Sequence, residues 1–359
     1  MGNLHSSRKL PSKALNEPLN ITFGVELEFI VKFNRSDYTP LGRSPEALPS
    51  YTLALRVAIR NALERRGILT FDPEQPGVGG GSDGEYSRWA VATDTTIEPP
   101  LAIPGEDTSW VAIEVKTRIL RLNLEGITEL RRGIASITES FCIGVNDSCG
   151  LHVHIGNDGK KGFDLQTLKN LSGLLLGFEK HLNSLHPPQR CRPGTWCAPL
   201  SNKAEFAPLP PLHRILLIER QRTFDSLLAL LADETSSTSA VNFANLAIGG
   251  TQTVEFRQHE GTVDERRVVM WVRLVAALVR AAHGMAPSEC VEAVREKVDR
   301  GGFGPVEFLE WVKVGEEAVE YYKRRLWSHE WSVVVFRWGG GGDGGGGGRR
   351  SGWSRRIGR

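Results

Sequence analysis

Residues 21–30 read ITFGVELEFI, a run of branched and aromatic residues interrupted by two glutamates. This composition predicts a β-strand, and because side chains alternate faces along a strand, we expect Glu26 and Glu28 on one face. Two like charges in an apolar setting are costly unless a cation neutralises them, and a divalent metal is the usual solution. The other interpretation is a polar stripe that faces solvent along an edge strand.

The same two-residue spacing recurs in residues 149–156, which read CGLHVHIG. Alternation places His152 and His154 on one face of a short strand and the apolar residues on the other. Two imidazoles on one face are good metal ligands or substrate contacts, but they are equally typical of hydrogen-bonded core histidines.

A third instance is found in residues 253–262, TVEFRQHEGT, where Glu255 and Arg257 share a face. A carboxylate beside a guanidinium can be a plain salt bridge. It also suits a site in which the arginine steadies a phosphate while the glutamate holds a metal.

A fourth strand is predicted in residues 112–118, AIEVKTR, with Glu114, Lys116 and Arg118 on one face. Four such stretches are improbable as independent decorations of a surface, and we expect one cupped sheet that lines one site. An oxygen-rich set of this kind favours Mg²⁺ or Mn²⁺, with two or three ions bridging a nucleotide. A weaker alternative is a zinc site, for which the chain offers His186, Cys191 and Cys197.

Apolar spacing along the rest of the chain alternates between helix-like and strand-like runs. It predicts helices at residues 51–66, 122–138, 164–185, 214–231, 264–283, 287–298 and 305–327. It predicts strands at residues 21–31, 89–93, 111–120, 151–155, 240–248 and 253–258, which include the stretches described above. The order indicates an α+β fold with helices gathered on one side of a mixed sheet, not regular βαβ alternation. The glycines at 79–81 are not followed by the Lys-Ser/Thr pair of a phosphate-binding loop.

Composition sets the class of protein. The 359 residues are 40% hydrophobic and 24% charged, which is typical of a globular chain, and 44 basic against 42 acidic residues give no reason to expect nucleic acid as a specific partner. Five irregularly spaced cysteines and the absence of a secretory segment indicate a reducing cytoplasm. No apolar run reaches the roughly 20 residues of a membrane-spanning helix. Membrane contact is expected only if Gly2, followed by Ser6, is myristoylated.

The ends of the chain differ in composition from its middle. Residues 1–20 are polar and predict a flexible lead, and residues 336–359 predict a disordered tail rich in glycine and arginine. Residues 21–335 are expected to form one catalytic domain, with a long loop at residues 73–84.

Taken in order, these stretches resemble the signature of the amidoligase family, carboxylate–amine ligases that share the catalytic fold of glutamine synthetase and γ-glutamylcysteine synthetase. Residues 150–154, GLHVH, look like the Gly-Met-His-x-His motif of glutamine synthetases. Glu26-Leu27-Glu28 looks like their Glu-x-Glu strand, and Glu255-Phe256-Arg257 looks like their late Glu-x-Arg. The resemblance covers roughly residues 20–285. It implies a curved, mixed, largely antiparallel sheet of the glutamine-synthetase catalytic type, with helices packed on one side.

The family resemblance also implies the chemistry. ATP phosphorylates a carboxylate, and an amine attacks the resulting acyl phosphate to give an amide, so the partners are small-molecule or peptide carboxylates and amines. The implied metal ligands are Glu26, Glu28, Glu114, His152 and Glu255. His154 would face the carboxylate substrate, and Arg257 would stabilise the transferring phosphoryl group. The shared face of Lys116 and Arg118 adds them as possible contacts for nucleotide phosphates.

The sequence departs from the family pattern at two places. Asp94-Thr95-Thr96 replaces the frequent Asp-Gly-Ser, and Glu114-Val115-Lys116-Thr117-Arg118 replaces a Glu-x-x-Thr-Pro-like end. The ring-forming domain and ammonia-site loop of glutamine synthetase are not recognisable, so glutamine synthesis itself is not expected. Two other functions stay open: a non-catalytic relative that binds nucleotide or peptide, and an amide hydrolase that uses metal-bound water.

Overall fold

The computed structural model describes residues 18–37, 48–73, 85–158, 161–232, 238–298 and 302–328. Several sequence predictions fall outside these residues. They concern most of the N-terminal lead, Gly2, the glycines at 79–81 and the tail at 336–359.

Contacts between Cα atoms divide the chain into two compact units. One comprises the described residues of Gly24–Leu151 and His259–Val269 together with residues 327–328, and we call it the glutamate unit. The other comprises residues 18–23 and the described residues of His152–Gln258 and Met270–Leu326, and we call it the histidine unit. The prediction that residues 21–335 form one catalytic domain stays a prediction.

The glutamate unit is built on a sheet in the order β2-β3-β4-β1, with β5 and β6 also paired to β1. Its strands are β1 (Ile21–Asn34, of which Gly24 onward belongs here), β2 (Thr70–Phe71), β3 (Trp89–Ala92), β4 (Thr108–Lys116), β5 (Leu120–Arg121) and β6 (Cys142–Gly144). The pairs β1–β4, β3–β4 and β1–β6 are antiparallel, and β2–β3 is parallel. Its helices are α1 (Leu48–Arg65) and α2 (Leu124–Ser140), and α1 contacts α2 as well as β2, β3 and β4.

The histidine unit has the strand order β7-β9-β8, and β8 is antiparallel to β9. Its strands are β7 (Gly150–Asn157, from His152 onward), β8 (Val241–Asn242) and β9 (Val254–Glu260, up to Gln258). Its helices are α3 (Leu165–Gly177), α4 (Glu179–Asn183), α5 (Pro211–Glu219), α6 (Phe224–Leu231), α7 (Glu265–Gly284, from Met270 onward), α8 (Glu289–Lys297), α9 (Pro305–Trp311) and α10 (Glu316–Ser328). Helices α3, α5 and α8 contact one another.

Strand alternation, which carried the sequence prediction, is confirmed in both units. On β1, Val25, Leu27 and Phe29 are at most 1% exposed, and on β7, Leu151, Val153 and Ile155 are fully buried. Burial of each such side chain stabilises the fold by roughly 1.5–3 kcal/mol. The glutamates and histidines of these strands therefore lie on the opposite face from the apolar core.

The observed α+β class, with a largely antiparallel sheet, confirms the predicted fold class at that level. Three predicted helices are each two helices in the structure. The run 164–185 breaks at Phe178, whose backbone leaves the helical region, and the run 214–231 breaks where Thr223 caps α6 through a reciprocal capping box with Ser226. The run 305–327 breaks because Lys313 and Gly315 both have positive φ.

Two predicted strands have wrong boundaries. The strand predicted at 240–248 ends at Asn242, because the Asn242 side chain accepts a hydrogen bond from the Ala244 N–H and turns the chain. The strand predicted at 111–120 begins at Thr108 and ends at Lys116. Its end coincides with Thr117, whose side chain accepts a hydrogen bond from the Val25 N–H.

None of the described helices is by itself long and apolar enough to cross a membrane. Helices α7 and α8 together would be long and apolar enough, but the chain bends by 118° between them.

Gly133 on α2 provides a test of packing against the sheet. A methyl group at this position would lie 2.2 Å from Cη2 of the fully buried Trp89. We expect Gly133→Ala to lower the free energy of unfolding by about 1–3 kcal/mol, measured by urea denaturation, because overpacking forces the indole to move. Gly284→Ala is the matched control, since nothing lies within 4 Å of its added methyl group. Equal stability of the two variants would contradict this account of the core.

Candidate functional site

Three carboxylates of the glutamate unit come together in what we call the acid cluster: Glu28, Asp94 and Glu114. One oxygen from each lies within 4.8 Å of the others, and Glu28 and Glu114 are buried. The antiparallel register explains the meeting, because it pairs Glu28 with Glu114 across β1 and β4. The observed pairing of β1 with β4 thus produces a group of carboxylates with ligand-like separations.

Asp94 is a member of the acid cluster that the sequence left uncertain. It lies two residues beyond β3, whose Ala92 is paired with Glu114. Its Oδ1 accepts hydrogen bonds from the N–H and the Oγ1 of Thr96, both at 2.7 Å. Thr96 therefore fixes the carboxylate, and the departure from Asp-Gly-Ser keeps a hydroxyl where the family pattern has serine.

The main chain orients Glu28. The N–H of Gly150 donates to Glu28 Oε2 at 2.6 Å. This donor comes from the start of β7, directly before the histidine pair, and a hydrogen bond to a carboxylate is among the stronger ones in proteins.

Lys116 provides the nearest positive charge. Its Nζ lies 3.0 Å from Glu26 Oε1 and 3.1 Å from Glu114 Oε2. Burial disfavours the charged ammonium, but the carboxylates of Glu26 and Glu114 outweigh that effect and raise the pKa of Lys116. Lys116 therefore stays charged at neutral pH and bridges two of the predicted metal ligands. Its predicted contact with nucleotide phosphates stays a prediction.

One lysine does not balance this group of acids. The pKa of Glu114 is raised to about 8, chiefly because burial penalises the carboxylate and next because Glu26 repels it, with Lys116 acting in the opposite direction. A divalent cation would relieve both penalties. Because the donors are all oxygens, the acid cluster fits a hard ion such as Mg²⁺ or Mn²⁺.

Four side chains of the histidine unit form a second group, which we call the histidine cluster: His152, His154, Glu255 and Arg257. Arg257 Nη1 donates to Glu255 Oε1 at 2.6 Å and lies 3.5 Å from His152 Nδ1. The same glutamate oxygen lies 3.7 Å from His152 Nδ1 and 3.9 Å from His154 Nε2. All four predicted residues of this unit are thus neighbours around one carboxylate oxygen.

Two asparagines that the sequence reasoning missed hold the other oxygen of Glu255. Asn242 Nδ2 donates to Glu255 Oε2 at 3.0 Å, and Asn245 Nδ2 lies 3.5 Å from the same atom. The register pairs Asn242 with Glu255 across β8 and β9. The available sequence signal was Asn242-Phe243-Ala244-Asn245 shortly before the Glu-x-Arg strand, but amides in that position are also typical of turns.

His154 is oriented through hydroxyl groups. Its Nδ1 lies 3.2 Å from Thr253 Oγ1, which in turn lies 2.8 Å from Thr251 Oγ1. This leaves Nε2 on the side of the Glu255 carboxylate. Either tautomer of the ring can hydrogen-bond a hydroxyl, so the contact fixes the plane of the imidazole.

Arg257 is the candidate phosphate ligand of this unit. Its side chain is 16% exposed, and its carbonyl oxygen accepts a hydrogen bond from Arg190 Nη2 at 2.6 Å. Among the described residues, the buried Nε of Arg257 has no hydrogen-bond partner. A buried guanidinium with an N–H still to donate fits a phosphoryl or carboxylate oxygen.

Comparison with family models identifies the family of the chain. A family model described as "Putative amidoligase enzyme" matches residues 19–279. The chain belongs to this amidoligase family. The match confirms the resemblance drawn from the Glu-x-Glu, His-x-His and Glu-x-Arg stretches, and it supports an enzyme of the carbon–nitrogen ligase kind.

Other comparisons of this amidoligase are less informative. No curated protein matches the chain. A solved structure of a bifunctional glutathione synthetase from Pasteurella multocida is similar over 86% of this chain and 47% of that chain, at 11% identity and a TM-score of 0.37. The amidoligase chain thus spans about half the length of that protein.

The structure gives the two cysteines of the zinc alternative other partners. Cys197 Sγ donates to the Arg190 carbonyl at 2.8 Å, and Cys191 Sγ donates to the Asn183 carbonyl at 3.4 Å. Within the described part of the chain, the groups of metal-ligating side chains do not include His186, Cys191 and Cys197. The amidoligase chain therefore offers no support for zinc at these positions.

Arg118, predicted as a phosphate contact, is paired within the glutamate unit. Its Nε and Nη2 donate to the two oxygens of Glu129 on α2 at 2.8 and 2.6 Å, and Trp89 Nε1 donates to Glu129 Oε1 at 3.0 Å. Burial opposes the charge of Glu129, but these hydrogen bonds outweigh it and lower the pKa of Glu129. This arrangement joins α2 to the end of β4, and the phosphate role of Arg118 stays a prediction.

Glu129→Gln tests this structural role. Because the folded-state pKa of Glu129 is lowered, its stabilisation is present above the unfolded-state value and is lost as pH falls through the folded-state value. We expect the variant to be less stable than the wild type by about 1 kcal/mol at pH 7 and to approach it in acid below the ordinary glutamate range, measured by urea denaturation. A difference that stays constant with pH would contradict the charged pairing with Arg118.

Proposed function

We propose that this chain is an ATP-dependent carboxylate–amine ligase that forms an amide through an acyl phosphate. The observation that carries the proposal is the acid cluster, in which Glu28, Asp94 and Glu114 place oxygens within 4.8 Å of one another around an excess of negative charge. Family membership supplies the reaction class. A curved sheet of the glutamine-synthetase type, with helices on one side, belongs to this proposal.

The reaction consists of two displacements. A substrate carboxylate oxygen attacks the γ-phosphorus of ATP and ADP leaves; an amine nitrogen then attacks the acyl carbon, inorganic phosphate leaves, and the amine loses a proton. Bound Mg²⁺ or Mn²⁺, two or three ions in the family pattern, would neutralise charge on the phosphate oxygens during the transfer. The substrate class we propose is amino acids or peptides.

Residue roles follow from position and chemistry. We assign metal binding to Glu26, Glu28, Glu114, His152 and Glu255, as the family pattern implies, and we add Asp94 because it lies with Glu28 and Glu114. Thr96 and the Gly150 N–H hold two of these carboxylates in fixed orientations. The assignment of both clusters to one reaction stays a prediction.

The histidine cluster supplies directed hydrogen-bond donors. Arg257 is anchored to Glu255, so its guanidinium can stabilise charge on a transferring phosphoryl group with little reorganisation. Thr253 orients the ring of His154 so that it can contact a substrate carboxylate. Asn242 and Asn245 keep Glu255 in place while it neutralises Arg257.

We also propose that the enzyme works in the cytoplasm on small molecules or peptides and needs no nucleic acid. All five cysteines are free thiols, which persist best in a reducing compartment. The near balance of charge agrees with small-molecule substrates.

Metal binding has a consequence for stability that Glu114→Gln tests. In EDTA we expect this variant to be at least as stable as the wild type, because it removes a buried carboxylate that is repelled by its neighbours. With Mg²⁺ at 100 times its dissociation constant, the wild type should gain about 2.7 kcal/mol, and the variant should gain much less. Thermal unfolding in EDTA and in Mg²⁺ measures both. No stabilisation of the wild type by Mg²⁺ or Mn²⁺, with or without ATP, would sink the metal site.

Catalysis is tested by the release of ADP from ATP with Mg²⁺ and a panel of amino acids and peptides as carboxylate and amine. Turnover should require both substrates. Arg257→Lys should lower kcat by about 10²-fold or more, because a lysine lacks the fixed fork that reaches Glu255 and phosphate together. The matched control is Arg273→Lys, which alters an exposed pair with Glu317 and should leave kcat unchanged.

The outcomes separate the three functions. ATP and metal binding without turnover across the panel would favour the non-catalytic relative. Amide hydrolysis without ATP would favour the metal hydrolase. Equal loss of activity in the Arg257 and Arg273 variants would remove Arg257 from the proposed chemistry.

A further inference from the structure

A four-residue turn at residues 146–149 lies directly before the peptide that orients Glu28. The Cys149 N–H donates to the Asn146 carbonyl at 3.0 Å, which closes the turn. Inside it, Asn146 Oδ1 accepts from the N–H and the Oγ of Ser148 at 3.0 and 2.6 Å. The next residue, Gly150, donates its N–H to Glu28.

The same two side chains hold the main chain of Glu98, in the loop between β3 and β4. Asn146 Nδ2 donates to the Glu98 carbonyl at 2.8 Å, and Ser148 Oγ accepts from the Glu98 N–H at 2.9 Å. Both main-chain polar groups of Glu98 are thereby bound by one turn. This arrangement fixes Glu98 in place although its loop continues to the strongly exposed Leu101.

Glu98 directly follows the turn that carries Asp94. The Ile97 N–H lies 3.4 Å from the Asp94 carbonyl, and Thr96 holds the Asp94 carboxylate. A continuous path of hydrogen bonds and short chain segments therefore runs from Asp94 through Glu98 and the turn to Glu28. The path joins two members of the acid cluster that are 66 residues apart in sequence.

The turn is also fixed on another side. The Gly261 N–H donates to the Cys149 carbonyl at 2.9 Å. A side chain at Gly261 would come within 2.4 Å of Cys149 Cβ, so only glycine allows this approach without movement. The turn is thus held by its own bonds, by Glu98 and by Gly261.

We propose that Asn146 and Ser148 are positioning residues that set the separation of Asp94 from Glu28 and so determine metal affinity. This inference rests on the proposed function, in which the acid cluster holds a divalent ion. Groups that orient metal ligands typically change affinity by 10–100-fold when they are removed. A turn that only supports the fold would change stability and leave the affinity of the folded protein unaltered.

The test is titration of the full chain with Mn²⁺ alone, in which electron paramagnetic resonance measures the free ion. Asn146→Ala removes the donor to the Glu98 carbonyl, and Ser148→Ala removes the acceptor for its N–H. Each should weaken Mn²⁺ binding by about tenfold or more. Because both hold the main chain of the same residue, Glu98, the double variant should lose clearly less than the product of the two single losses.

Two further variants make the outcome decisive. Asn123→Ala removes the cap of α2, where Asn123 accepts from the Gly126 N–H, and should cost about 1 kcal/mol of stability without changing Mn²⁺ affinity. Asp94→Asn removes a proposed ligand and should weaken binding at least as much as Asn146→Ala. If Asn146→Ala fails to fold, Ser148→Ala alone decides.

Failure of the inference is distinguishable from failure of the proposed function. Wild-type protein that does not bind Mn²⁺ would overturn both. Wild-type binding that is weakened by Asp94→Asn but unaffected by Asn146→Ala and Ser148→Ala would overturn only the positioning role. The same loss of affinity in Asn123→Ala would show that general destabilisation causes the effect.

Discussion

The acid cluster is governed by the repulsion between carboxylates, because several of them lie on one largely buried face of the β1–β4 ladder. Glu28 and Glu114 are at most 5% exposed and lie on the face opposite the apolar side chains of their strands. One lysine shares its charge between two of the carboxylates. Burial, and after it repulsion by Glu26, raises the pKa of Glu114. Like charges of this kind repel one another. Hydrogen bonds from Thr96 and from the Gly150 N–H hold two of the carboxylates, Asp94 and Glu28, in place.

The two clusters solve different chemical problems. The acid cluster has oxygens and excess negative charge, which suits a cation. The histidine cluster carries a glutamate, an arginine and two imidazoles, and is close to neutral when the imidazoles are neutral. It offers fixed N–H donors, which suit anionic groups of a substrate. The amide groups of Asn242 and Asn245 satisfy the second oxygen of Glu255 and keep it from competing for other donors.

The sequence was sufficient to predict features that follow from the two-residue alternation of side chains along a strand. Alternation along β1, β4, β7 and β9 predicted which ionisable side chains share a face, and the order of the motifs predicted the family. The sequence was not sufficient where the conformation of a single turn determines the structure. The contribution of Asp94 depends on Thr96 and on the register of β3, and the end of β8 depends on one side chain of Asn242. Helix breaks at Phe178 and Gly315 left the apolar spacing intact, so the pattern could not show them.

The amide of Asn242 makes two contacts at once. Its oxygen accepts from the Ala244 N–H and ends the strand, while its nitrogen donates to Glu255. Aspartate could retain the first contact but would place a second carboxylate against Glu255, and serine is too short to span both partners. A library of variants at this position should therefore tolerate few substitutions. Such intolerance would arise because one side chain both turns the chain and orients a carboxylate. A mutational scan that took intolerance as the sign of a catalytic residue would therefore be wrong at this position.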